Sequence, residues 1–566
     1  MTPAQEAEVL MTYDRHMLEA TGHIHEEYER IRESAATSLE RVHLWGTLID
    51  ESGVVAKVEH WARAERKSNA GRKPHMSFRT VLILFMMHID AGDNRYNAVA
   101  RTLFAQMTPE TRAYLGIPAM RGTKRMWYQR YRRSLNRVLA LCEPWTVDRK
   151  KKATAEEFQA AVASYSETKR THMDELINDI LQATVRRLPS DIRATYKGNV
   201  ALDATLIEIV GRPNPGKKHH DRDRWNLDAM SGRYSREGTH EGTGHAQDKA
   251  GWEAETVVTV PNKPGAPDTF PVLTTGMTVH QPGRTRHGGR IAMWYHSREF
   301  ARDQRHLLIT DMLYPGLTPE HFQVPIAKMG FRTVWDIRKT RDSKDKDKAI
   351  HGIVDDAIAV DGCLYLKWMP EHLINATIDY RREPGDPKKI DEDTYYARLK
   401  SRTPYRVMGK GRPEEDGSFR FYYPTIDTKK HRYFDRATGT EVKRPVLKQT
   451  TLTVSPDIPE HLPIIKQLQM FELRSENWTK WYGQRNRVEE NNYWLKHDGF
   501  TDLGNPEKRR PRGYGYQALT AGLAAAVSNM RRIVSFIANA AVKALGETTL
   551  RNLRRYDEHG NPIPHV

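Results

Sequence analysis

The sequence predicts a multidomain α/β protein, with a mixed-sheet core that is interrupted by a β-rich insertion and preceded by an all-helical region. Three observations carry this. At 566 residues the chain is too long for one hydrophobic core. Its texture changes from helical spacing to strand alternation near residue 195. It changes again, to short strands among charged loops, from about 340 to 455, before helical spacing returns.

Composition narrows the classes. Hydrophobic residues make up 38% and charged residues 28%, which suits a folded, somewhat polar protein rather than a membrane or fibrous one. The formal charge is +17, pointing to a polyanionic partner, and its placement is uneven. Residues 1–60 hold 5 Lys/Arg against 12 Asp/Glu; residues 61–152 hold 20 against 6. Most of the excess is one module, which reads as a nucleic-acid footprint.

Cys142 and Cys363 stand far apart and in no metal-ligand spacing, so a reducing compartment and no structural zinc are expected. The opening MTPAQEAEVLMTYDRHMLEA has neither a basic nor an apolar signal region. The longest apolar run, Val81 to Met87, is too short to span a bilayer. The Ala-rich stretch from Gln517 to Leu545 is broken by Ser528, Asn529, Arg531 and Arg532, as in a packed helix. No membrane partner and a cytoplasmic, nucleoid-associated location are expected.

Residues 1–60 read as an acidic helical arm, either for interaction or folded back on the basic module. Residues 61–147 read as a basic helical domain. In it, Ser77 is placed to cap a helix running through Ile89 to a stop at Gly92. The GRKP piece reads as a basic linker more readily than as a minor-groove hook. A second helical segment covers Asn97 to Met107, and a third starts near Pro109. In GTKRMWYQRYRRSLNRVLAL, Trp127, Tyr131, Leu135, Val138 and Leu139 form an apolar stripe. Arg125, Gln129, Arg132, Arg133, Asn136 and Arg137 lie opposite it. Such an arginine face suits the DNA backbone or a groove; a solvated basic face is the plainer reading. Residues 148–194 form a helical linker.

The core follows in two parts, 195–339 and 459–545, around the insertion at 340–458, with a tail at 546–566. GNVALDATLIEIVG, WEAETVVTV and TFPVLTTGMTVHQPG read as strands, GRIAMWYHSREF as a helix and HLLITDMLYPG as a buried strand. TPEHFQVPIAKMG is a helix and FRTVWDIRK a strand. Three strands, a helix, a strand, a helix and a strand is the order of a ribonuclease H-like core. His219, His220, His240 and His245 lie in a Gly/His-rich loop that reads as a DNA-facing segment rather than a metal site.

Two aspartates sit oddly in these strands. Asp203 has apolar neighbours on both sides in ALDATL, and Asp311 follows LLIT where its strand should end. A buried carboxylate is costly without a partner or an ion. The plainer readings are a hydrogen bond from Thr205 to Asp203 and a turn cap by Asp311. Downstream, Tyr482, Arg485, Glu489 and Lys496 fall at steps of three, four and seven, one stripe of a helix. There, one carboxylate stands among two cations and a phenol. An ordinary i,i+4 pair, Arg485–Glu489, is the plainer reading of that stripe. Taken together, Asp203, Asp311 and Glu489 are a ligand set for two Mg2+ ions, because magnesium prefers oxygen ligands. Glu490 points about 100° away and is the weaker candidate.

On these residues the chain resembles the DDE transposases of bacterial insertion sequences, in the group with a Tyr-x2-Arg-x3-Glu-x6-Lys signature. Tyr482, Arg485, Glu489 and Lys496 match every position of the signature, and Asp203 and Asp311 match the first two catalytic carboxylates. The resemblance spans roughly residues 195 to 535, and the β-rich insertion before Glu489 is a trait of the group. It implies cut-and-paste transposition of double-stranded DNA. Asp203, Asp311 and Glu489 would be the catalytic metal ligands, with Mn2+ able to substitute for Mg2+. Tyr482, Arg485 and Lys496 would hold DNA phosphates, and the protein would pair two element ends as a homodimer. Arg125, Arg132, Arg133 and Arg137 would belong to the DNA-binding module. Trp368 is a possible counterpart of the aromatic residue that holds a flipped base in the family's hairpin step. An inactive DNA-binding derivative, such as a repressor, and a nuclease without joining activity are the alternatives.

Overall fold

The computed structural model describes residues 1–66, 68, 74–119, 122–219, 221–236, 247–283, 287–337, 349–497, 500–546, 555–556 and 562–563. Residues 71–73 of the GRKP piece, His220, His240, His245 and the charged TRDSKDKDK loop lie outside these.

The central sheet is mixed. Its strands are β1 (Val200–Glu208), β2 (Gly232–Arg236), β3 (Gln247–Thr259), β4 (Thr274–His280), β5 (Leu307–Thr310) and β6 (Arg332–Trp335). The order across it is β4–β3–β1–β5–β6, with β2 paired to the outer half of β3. β1 runs antiparallel to β3 and parallel to β5, and β5 runs parallel to β6. Sequence patterning gives three strands before the first helix; the structure has four. The extra one, GRYSR, is polar and carries no alternation, so only its pairing with Gln247–Gly251 makes it a strand.

The insertion forms a second, antiparallel sheet of six strands in chain order: β7 (Ile350–Val354), β8 (Ala357–Val360), β9 (Cys363–Leu366), β10 (Arg406–Gly409), β11 (Phe419–Tyr422) and β12 (Thr451–Val454). The β8–β9 hairpin turns on Asp361 and Gly362, both at positive φ, the conformation a two-residue hairpin demands. This sheet has its own core, including Leu364, Tyr365, Val454 and Ile464. Trp368 is 8% exposed and packed into that core, so its ring is not presented for a base.

Helices cover both faces of the central sheet. The long helix Tyr514–Leu545 starts at Gly513 and ends at Gly546, a left-handed C-terminal cap. It packs against Glu167–Arg186, which in turn packs on β4. The two helices approach closely at Gly522, where a Cβ would stand 2.5 Å from the Cβ of Ile177. Residues 1–60 fold onto this body. Pro3–Thr21 packs on the long helix and Leu39–Glu51 on Phe78–Asp90, burying Leu10, Tyr13, Trp45 and Ile49 in the main core. Ser77 accepts a hydrogen bond from the Thr80 N–H and starts Phe78–Asp90. No described helix is long and apolar enough to cross a membrane.

Candidate active site

Register brings the two aspartates together. On the parallel pair β1–β5, Leu202 is opposite Thr310, so the next step sets Asp203 beside Asp311. Neighbouring strands lie about 4.8 Å apart. Alternation puts both side chains on the face that also carries Ala201, Leu307 and Ile309. Those residues pack against Trp478 and Val488, from the helices that bracket the Arg485 turn.

Each aspartate spends one oxygen on local backbone. Asp203 Oδ1 accepts from the Ala204 N–H at 2.8 Å, and Asp311 Oδ1 from the Leu313 N–H at 2.8 Å. The expected bond from Thr205 is replaced by the one from Ala204, while Asp311 does cap its turn. The Oδ2 atoms of both accept no hydrogen bond from a described residue. Burial, reinforced by the neighbouring Asp311 charge, pushes the Asp203 carboxyl up to about 7. Burial also raises that of Asp311.

The Tyr-x2-Arg-x3-Glu-x6-Lys residues do not ride one unbroken α-helix, as spacing predicts. Glu476–Tyr482 and Asn486–Lys496 are α-helices, joined by a 3₁₀ turn at Gly483–Arg485. Gly483, a poor helix former, sits where the winding tightens. The turn lies against β1 and β5. Trp478 anchors the first helix by donating its indole N–H to the Trp335 carbonyl at 3.0 Å.

Arg485 is the cation that acts on both aspartates, opposing their rise in pKa. Its guanidinium also pairs with Glu489 at 2.7 Å. Burial draws the Arg485 pKa down, but Glu489, Tyr482 and Asp203 outweigh it and the net shift is upward. Tyr482 is raised by burial, with Asp336 and Asp311 adding to the rise. The structure therefore assembles Asp203, Asp311, Tyr482 and Arg485, with Glu489 joined through Arg485. The three carboxylates are not drawn into one metal-sized group, and no such group of His, Cys, Asp or Glu occurs among the described residues. Lys496 ends its helix roughly 10 Å along the axis from Glu489.

Glu490 has a different task. It pairs with Arg487 at 3.1 Å and with the buried Arg532 at 3.1 Å. Arg532 also donates to the Asn491 side chain and the Val272 carbonyl. That network bolts the Asn486–Lys496 helix to the long helix, leaving Glu489 on the open side.

Two groups near the site were not singled out from sequence. Thr310 is opposite Trp335 on β5–β6, so the same register step sets Asp336 beside Asp311. Asp203, Asp311 and Asp336 thus form a row across three parallel strands, from the middle of β1 to the residues just beyond β5 and β6. Glu255 is fully buried on β3, accepts the Tyr314 hydroxyl and stands 3.3 Å from His280 Nε2. Burial lowers the His280 pKa, but Glu255 and Glu253 outweigh it and hold it up. A readable signal existed for both: an acid after FRTVW, and the Glu-x-Glu step in WEAETVV.

Arg125, Arg132, Arg133 and Arg137 lie elsewhere, on the helix Lys124–Cys142, exposed as patterning expects. That helix packs against Phe78–Asp90, Tyr96–Arg101 and the long helix. Arg137 stacks over the Phe78 ring at 4.8 Å, so part of its side chain serves packing. His219 is exposed in a short 3₁₀ turn. In comparisons with known proteins, the chain matches no protein-family model and no curated sequence.

Proposed function

We propose that the chain is a DNA transposase that binds element ends and carries out metal-dependent strand cleavage and strand transfer. The observation that carries the reading is the register that sets Asp203, in the middle of β1, beside Asp311 at the end of the parallel strand β5, under the Arg485 turn. The strand order β4–β3–β1–β5–β6, three antiparallel strands and then two parallel to β1, supports reading the sheet as a ribonuclease H-like core interrupted by a β-rich insertion. The exposed arginines of Lys124–Cys142 supply a surface for double-stranded DNA, and pairing of two ends calls for a homodimer on DNA. The natural setting is the cytoplasm, at the nucleoid.

The donor chemistry fits Mg2+, or Mn2+ in its place: two carboxylates with open oxygens, burdened by burial and by each other, gain from a divalent cation. Asp203 and Asp311 would hold the pair of ions, joined by Glu489 once it leaves Arg485. When bound, the ions supply an activated attacking oxygen and a stabilised leaving oxygen at the phosphodiester. Arg485, released from Glu489, would take a DNA phosphate, as would Tyr482 and Lys496.

A second reading, a DNA-binding protein without catalysis, is favoured by the Arg485–Glu489 pair, which occupies the third carboxylate. One assay separates the readings. The purified chain is mixed with a supercoiled plasmid carrying the DNA that flanks its gene. Nicked and joined products in Mg2+, absent in EDTA and with Glu489→Gln, support transposition. End binding without cleavage in Mg2+ or Mn2+ supports the repressor, and nicks without joined products support a nuclease.

A further inference from the structure

A cleft of about 840 Å³ opens between the helices Tyr96–Arg101 and Lys124–Cys142 and the segment Arg510–Arg512. Six cations line it, against one carboxylate, Asp148. Three of the cations are already paired: Arg95 with Asp93 at 2.7 Å, Arg149 with Glu143 at 2.5 Å and Arg510 with Glu507. Arg132, Lys150 and Arg512 make no ion pair with a described residue. All three are exposed. Like charges are held together here by the fold. Arg149 lies over Gly513, where a Cβ would come 2.3 Å from its guanidinium carbon, and it accepts a bond from Arg512 Nη1 on its carbonyl at 3.4 Å.

We infer that this cleft is a seat for the DNA sugar-phosphate backbone, shared between the helical module and the C-terminal part of the core. The inference rests on the proposed function in taking DNA as the partner. Concentrating three unpaired cations costs free energy unless an anion joins them. Exposed arginine and lysine side chains in a cleft, with no described helix or strand projecting from it to enter a groove, suit a strand's phosphates rather than base edges. Tyr96 and Tyr128 stand edge to face at 6.0 Å along one wall. Arg125, Tyr128, Arg132 and Asn136 follow one another at helical spacing, so the track continues along the helix surface beyond the cleft.

The test is fluorescence anisotropy of the full chain with a labelled duplex of arbitrary sequence, over a series of salt concentrations. Each phosphate neutralised contributes about 0.9 to the slope of log affinity against log salt. Arg132→Ala/Arg512→Ala should flatten that slope by about 2 and weaken binding roughly tenfold at moderate salt. Arg132→Lys/Arg512→Lys should keep most of the slope. Arg436→Ala/Lys443→Ala, which removes the same charge from the exposed insertion surface, should keep the wild-type slope. Thermal melts establish that each variant is folded. If the wild type binds and the alanine pair leaves slope and affinity unchanged, the cleft is not the seat, while DNA as partner stands. If the wild type shows no salt-dependent binding, the proposed function itself fails.

Discussion

Asp203 and Asp311 stand side by side on parallel strands, one register step beyond Leu202 and Thr310, on the face closed by Trp478 and Val488. Two carboxylates so placed repel each other, and burial adds to the cost. A group whose folded pKa is raised from 3.8 to about 7 binds more protons folded than unfolded between those values. Stability therefore falls as pH rises across that window, and the penalty is complete above about 7. Asp203→Asn should accordingly raise the melting temperature at pH 8 and have little effect near pH 4. The gain is bounded by roughly 4 kcal/mol, at 1.36 kcal/mol per unit. Thermal denaturation over this pH range in EDTA checks it; a flat difference would mean the pair is not strained.

Glu489 and Glu490 are adjacent in sequence, and their variants should part company. Glu490→Gln strips a charge from Arg532, which burial already holds down to about 10. A loss of about 1–3 kcal/mol in urea unfolding is expected. Glu489 is exposed and, among the described residues, pairs with Arg485 of the preceding 3₁₀ turn alone, so Glu489→Gln should change stability by less than about 0.5 kcal/mol. It should nevertheless abolish cleavage. Equal stability effects would place Glu489 in the scaffold.

Much of this arrangement is written in the chain, and the losses have physical causes. Ser77, the apolar stripe through Trp127, and the strands around Asp203 and Asp311 follow from capping and periodicity. GRYSR does not, because an exposed hairpin strand is made by its partner rather than by its own pattern. The 3₁₀ turn at Gly483–Arg485 is also invisible to spacing: steps of three and four fit either winding. Asp336 is legible only as an acid after a strand; its place in the row needs the β5–β6 register. The Arg510–Arg512 side of the basic cleft is more than 350 residues from Lys150, a proximity that no local pattern encodes.

Close packing sets a further expectation at Gly522. Its missing Cβ lets Tyr514–Leu545 lie against Glu167–Arg186, with Ile177 directly opposite. Gly522→Ala would gain helix propensity, worth about 1 kcal/mol, but must push the two helices apart. Overpacking of this kind costs about 1–3 kcal/mol, and both colliding atoms sit at or beside a backbone, so neither moves away freely. A net loss of stability should appear in urea unfolding, where a surface Gly→Ala change would show a gain.

Asp336 extends the acidic row by one strand, and Tyr482 feels its charge together with that of Asp311. Its Oδ1 accepts from the Ile337 N–H at 2.8 Å, the same local tether that Asp203 and Asp311 use. Under the proposed function its place beside Asp311, rather than between the two strand aspartates, makes it a positioning residue. Asp336→Asn should leave cleavage detectable while raising the Mg2+ concentration for half-maximal activity by roughly tenfold, the scale on which outer partners tune metal affinity. Asp203→Asn and Asp311→Asn should abolish cleavage at any Mg2+ concentration. Metal titrations of plasmid nicking distinguish these outcomes. An Asp336→Asn protein with an unshifted titration would confine that carboxylate to capping the end of β6.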